Sequence, residues 1–104
     1  MDEFICNKLR SGKLKYGIDY VNRKLCILED IPGYGDKCGE CSKELIDFET
    51  INNILVKKGN ILSKNSMDLQ PCFIKPISNN GPMLAAILVH LGVLDKNYKV
   101  LKLL

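Results

Sequence analysis

Two cysteines, Cys38 and Cys41, stand three positions apart in the stretch Tyr34-Gly35-Asp36-Lys37-Cys38-Gly39-Glu40-Cys41-Ser42-Lys43-Glu44-Leu45. No other stretch of the chain is as chemically specialised. Two thiolates at this spacing can share one metal ion, because the turn between them aims both sulfurs at one point. Gly39 eases that turn, and backbone N–H groups in such turns stabilise thiolate charge. Lys37 and Lys43 add positive charge on either side, and Leu45 can pack beneath.

A structural zinc ion takes four ligands, so the pair needs two more. The remaining donors are Cys26, Cys72, Cys6 and His90. Cys38, Cys41, Cys72 and Cys26 form the expected Zn2+ set, provided the fold brings residues 26 and 72 to the loop. The dozen residues around the pair resemble a zinc knuckle of the treble-clef or zinc-ribbon kind. That resemblance concerns the knuckle alone and implies a metal that fixes a loop. A second reading is redox chemistry. A cysteine pair following a strand at a helix start resembles the thioredoxin and glutaredoxin sites, in which Cys38 would attack and Cys41 resolve. A third reading takes the thiols as small buried hydrophobes, which suits Cys6, Cys26 and Cys72 better than the pair. A deaminase site is excluded, because Cys26-Ile27-Leu28-Glu29 has the wrong spacing for its third ligand and glutamate.

Other chemistry-bearing residues are sparse. His90 is the only histidine, and on an apolar helix it reads as a hydrogen-bonded core or interface residue. Lys8, Arg10, Lys13 and Lys15 with Tyr16 and Tyr20 suggest phosphate contact and base stacking, but alternation puts strand lysines and tyrosines on opposite faces. Glu29 and Asp30 stand alone. No phosphate-binding glycine loop and no catalytic triad is present.

The elements that position these groups follow from periodicity. Residues 2–11 read as a short helix with Phe4, Ile5 and Leu9 on one stripe, ended by Ser11-Gly12. Leu14, Tyr16, Ile18 and Tyr20 alternate with polar residues as a strand, and Leu25 to Leu28 forms a second, giving an N-terminal β-hairpin. A loop carries the cysteine pair. Residues 47–59 form an amphipathic helix with Phe48, Ile51, Ile54, Leu55 and Lys58 on one face and Gly59 at its stop. Ile61-Leu62 and Cys72-Phe73-Ile74 read as short strands. Asn79 or Asn80 caps a helix with Pro82 in its first turn. Met83 to Leu91 is apolar all round but for His90, so either the fold or a second subunit must cover it. Residues 98–104 read as a closing strand or a short helix.

A length of 104 residues sets one domain, 1–104, of α+β class. Lysine outnumbers arginine thirteen to two, and with abundant Ile and Asn this fits an AT-rich genome, a viral one among others. The net charge of +3 is too small to imply nucleic acid by itself. Five cysteines behind an acidic start point to an intracellular, reducing, cytoplasmic setting. The apolar run Pro82 to Leu94 is too short to span a bilayer. The function expected is that of a small non-enzymatic accessory or adaptor protein with a zinc knuckle. It acts by protein–protein contact or homodimer formation through the 83–91 helix, with a nucleic-acid complex as one setting. The alternatives are a dithiol oxidoreductase and a metal-free, partner-occluding viral protein.

Overall fold

The computed structural model describes residues 1–59 and 66–104. Among these, four antiparallel strands follow one another as a meander: β1 (Asp2–Asn7), β2 (Lys13–Asp19), β3 (Lys24–Ile31) and the short β4 (Ile46–Asp47). Helix α1 (Phe48–Lys57) follows at once, then a 3-10 turn (Met67–Cys72) and helix α2 (Asn80–His90). The class is α+β, with the expected hairpin at its centre. Among the described residues, no helix is long and apolar enough to cross a membrane.

The β2–β3 hairpin forms because Leu14, Tyr16 and Ile18 alternate inward against Leu25 and Ile27, all five essentially inaccessible. Its turn is closed by Asp19, whose carboxylate accepts from the Asn22 backbone N–H at 3.1 Å and from its Nδ2 at 2.8 Å. Tyr20 falls in this turn and is exposed, not buried with the other alternating residues.

Residues 2–7 are a strand, not the start of a helix. Phe4 and Cys6 face the core while Glu3, Ile5 and Asn7 face out, and all six residues pair with β2. The apolar residues fit either period over so short a stretch, and cross-strand pairing decides the outcome. Helix α1 matches expectation: Phe48, Ile51 and Leu55 are buried, with Asn52 beside them. Cys72 ends a 3-10 turn instead of entering a strand, since Pro71 and Pro76 limit ladder bonding on both sides. Ile61-Leu62 lie outside the described residues. The closing strand is reduced to one bridge, Leu94 to Val100. The chain then runs back to α1, where Asn52 accepts from the Leu104 N–H at 2.8 Å and donates to its carbonyl at 3.0 Å.

Helix α2 is covered by this chain's own fold. Met83 through Leu88 are each no more than 5% exposed and pack against the sheet and the 3-10 turn. Accessible surface remains at Pro82 in its first turn and at its end, from Val89 to Leu91. Neither asparagine caps it with a side chain. Instead the Gly81 N–H donates to Gln70 Oε1 at 2.5 Å, and the Asn80 N–H donates to the Ile77 carbonyl at 3.0 Å. Both asparagine side chains are thereby left for the cysteine-bearing loop.

Candidate functional site

The loop from Pro32 to Leu45 has no regular secondary structure, yet it is tied down along its length. A tight turn opens it: the Asp36 N–H donates to the Gly33 carbonyl at 3.0 Å, with Gly35 at φ +81°. The Ser11 hydroxyl donates to Asp36 at 2.9 Å. Asp30, buried at the end of β3, accepts the Gly39 N–H at 2.7 Å and pairs with Lys8 Nζ at 2.7 Å. Asn79 Nδ2 donates to the Glu40 carbonyl at 3.1 Å. The buried Ser42 N–H donates to Asn80 Oδ1 at 2.9 Å. Glu44 accepts the Ser42 hydroxyl and the N–H groups of Ile74 (2.7 Å) and Lys75 (3.1 Å). Backbone groups that a loop would otherwise leave to water are thus satisfied by side chains from β3 and the start of α2. From this scaffold Tyr34 projects with its side chain fully accessible, 108% exposed.

All five cysteines are free thiols. The Cys38 Sγ–H donates to the carbonyls of Asp30 at 3.5 Å and Gly39 at 3.8 Å. Cys26 lies opposite Gly17, on the sheet face away from Tyr16. Burial raises its pKa, and the charge of Cys41 raises it further. Burial likewise raises Cys41, against the pull of Lys43, with Asp30 and Cys38 adding to the rise. Cys41 therefore shares an electrostatic neighbourhood with Cys26 on one side and Cys38 on the other. Cys72 does not join it: burial alone pushes its pKa up to about 11, as it does for Cys6 on β1. Among the described residues, no three Cys, His, Asp or Glu side chains converge closely enough to hold a metal ion. The pair does not sit at a helix start, since α1 begins at Phe48. His90 is hydrogen-bonded, its Nδ1 lying 2.6 Å from the hydroxyl of the buried Tyr16.

The basic run is divided between partners. Lys8 serves Asp30, so Asp30 does not stand alone, and Lys15 pairs with Glu3 at 3.0 Å. A cavity of about 920 Å³ lies between the β1–β2 turn, residues 36–39 and the start of α2, and Lys8, Arg10, Lys37, Asn79 and Tyr98 are among its walls. It is not a ready anion site. The Asn80, Gly81 and Met83 N–H groups are already bonded to Ile77, Gln70 and Asn79, and Pro82 has none to offer. Glu44 and Gln70 carry no signal in the sequence, while Asp30 reads there as unpaired and Asn79 and Asn80 read only as a helix cap, not as ties to the loop. The partners of all five lie too far along the chain for a local pattern to show them.

The loop's ties predict acid sensitivity. Burial alone would raise the Asp30 carboxyl, but Lys8 and the Gly39 N–H outweigh it and hold it below the usual range. The Ser42 hydroxyl, then the Ile74 N–H, do the same for Glu44. A depressed folded pKa gives stability that is present above the unfolded value, about 4, and lost as pH falls through the folded one. Hydrogen exchange between pH 6 and pH 2.5 is expected to show the Gly39, Ile74 and Lys75 amides losing protection below about pH 4. Protection that stays constant over that range would refute this. Comparison with protein-family models, curated proteins and solved structures finds no match to this chain.

Proposed function

We propose that the protein is a non-enzymatic accessory or adaptor protein whose contact surface for a partner protein is the loop around Tyr34. One observation carries this reading: a fully exposed tyrosine on a turn whose flanks are fixed by side chains from the folded body. Binding through a preorganised loop loses little further entropy, and tyrosine offers large contact area for few rotatable bonds. Lys37 and Lys43 make a nucleic-acid-containing complex a suitable setting. A reducing, cytoplasmic location belongs to the same proposal and suits five free thiols. Affinity isolation with wild-type and Tyr34→Ala protein, followed by calorimetry on the purified partner, tests it. Tyr34→Ala is expected to weaken binding by about tenfold or more, with an unchanged urea midpoint. A partner held equally well by both forms overturns the proposal.

A second reading keeps zinc on Cys38, Cys41 and Cys26, with Cys72 as the fourth ligand. What favours it is that Cys41 lies within electrostatic reach of both Cys26 and Cys38. Zinc would have to turn those sulfurs toward one point and draw off their protons. Elemental analysis of protein purified without chelator decides it: about one zinc per chain, lost in Cys38→Ser, supports it, and metal-free protein rejects it. The dithiol oxidoreductase alternative draws less support, because the pair does not open helix α1 and burial disfavours the Cys41 thiolate.

A further inference from the structure

We propose that two copies of this chain join along β1, edge to edge and antiparallel with Ile5 opposite Ile5, so that one sheet runs through both.

The first support is an uncovered edge. β1 pairs with β2 over its whole length without a bulge, and among the described residues its other side has no backbone partner. The opposite margin of the sheet is occupied: β4 pairs with Lys24 and Leu25, and Gly39 and Cys38 then bond to Asp30. Sheets guard an open edge with proline, a bulge, a central lysine or a very short strand. Over six residues β1 has no proline, bulge or lysine, and its charged side chains, Asp2 and Glu3, are confined to its start. It presents instead an outward Ile5 that is 54% exposed.

The second support is register. A two-fold axis that keeps both cores on one side of a joint sheet must oppose residues of the same face. Centring on Phe4 would set Glu3 against Ile5 and Asp2 against the buried Cys6. Centring on Ile5 sets isoleucine against isoleucine, Glu3 against Asn7, Phe4 against Cys6 and Asp2 against Lys8. Apolar then meets apolar, and each acidic strand start points toward the Arg10 end of the other copy, Lys8 itself staying with Asp30. Phe4 also gains cover. It packs on Tyr16 at 5.5 Å between ring centroids but is only half-buried in one chain.

Sedimentation equilibrium of the full chain is expected to show a reversible dimer. Ile5→Lys, which puts two lysines face to face on the axis, should weaken it by about tenfold or more with an unchanged circular dichroism spectrum. Cross-linking tests the register separately. In a Cys38→Ser background, which removes the exposed native thiol, Ile5→Cys should give a disulfide-linked dimer on mild oxidation. Glu3→Cys should not, since it faces Asn7 across the axis. A chain that is monomeric at all concentrations, a dimer unaffected by Ile5→Lys, or equal cross-linking from both cysteine variants each overturns the proposal.

Discussion

Replacing Asn80 with alanine is expected to remove about 3 kcal/mol of stability and to free the cysteine-bearing loop from the core. Asn80 is wholly buried, and its side chain uses both ends. Oδ1 accepts from Ser42, whose residue is itself only 2% exposed, and Nδ2 donates to the Lys75 carbonyl at 3.2 Å. Alanine leaves the Ser42 N–H in a dry site with no acceptor, a loss of about 1–3 kcal/mol by itself. The Lys75 carbonyl is near solvent and costs less. Asn80→Asp separates the contributions. It keeps the acceptor for Ser42 but buries a charge and turns a donor into an acceptor facing a carbonyl, so it should be the worse of the two. Urea unfolding gives the energies, and hydrogen exchange at Ser42 reports the local release. A loss below about 0.5 kcal/mol for Asn80→Ala, the range of ordinary surface changes, would mean that the loop is held elsewhere.

Gly12→Ala is expected to cost roughly 3 kcal/mol or more, from two separable sources. Gly12 has φ +83°, a conformation that costs an L-residue about 1–2 kcal/mol. In addition, an added Cβ would stand 2.6 Å from the Gly33 nitrogen, 2.7 Å from the Ile31 carbonyl oxygen and 3.0 Å from the Pro32 carbonyl carbon. All three are backbone atoms and cannot swing aside. The β1–β2 turn would have to retreat from residues 31–33, pulling Lys8 from Asp30 and Ser11 from Asp36. Gly35 provides the control, because its φ is +81° but a Cβ there meets nothing within 4 Å. Gly35→Ala should therefore show the conformational cost alone. Equal destabilisation by the two variants would rule out close approach as the source.

These two sites mark what the sequence discloses and what it hides. The β2–β3 hairpin and α1 were legible because their apolar spacing is local and each suits one period only. The extent of α2 was legible too, and its unbroken apolar character correctly implied cover on all sides. β1 was not, because Phe4, Ile5 and Leu9 make an acceptable helical stripe while Phe4 and Cys6 make an acceptable strand face, and only β2 settles between them. Cys38 and Cys41 announce themselves by spacing and composition. What fixes their loop does not: Asn80 acts 38 positions from Ser42, and Glu44 acts 30 from Ile74. Single asparagines and glutamates carry no periodic signature, so their use becomes visible only once the sheet and α2 are in place.

The Ser42–Asn80 tie has a mechanical consequence. Asn80 is the first residue of a helix that runs through the interior, so the loop has no soft joint at that point. The second half of the loop therefore moves with the core at Ser42, while the tip at Tyr34 is held by its own turn and by Ser11.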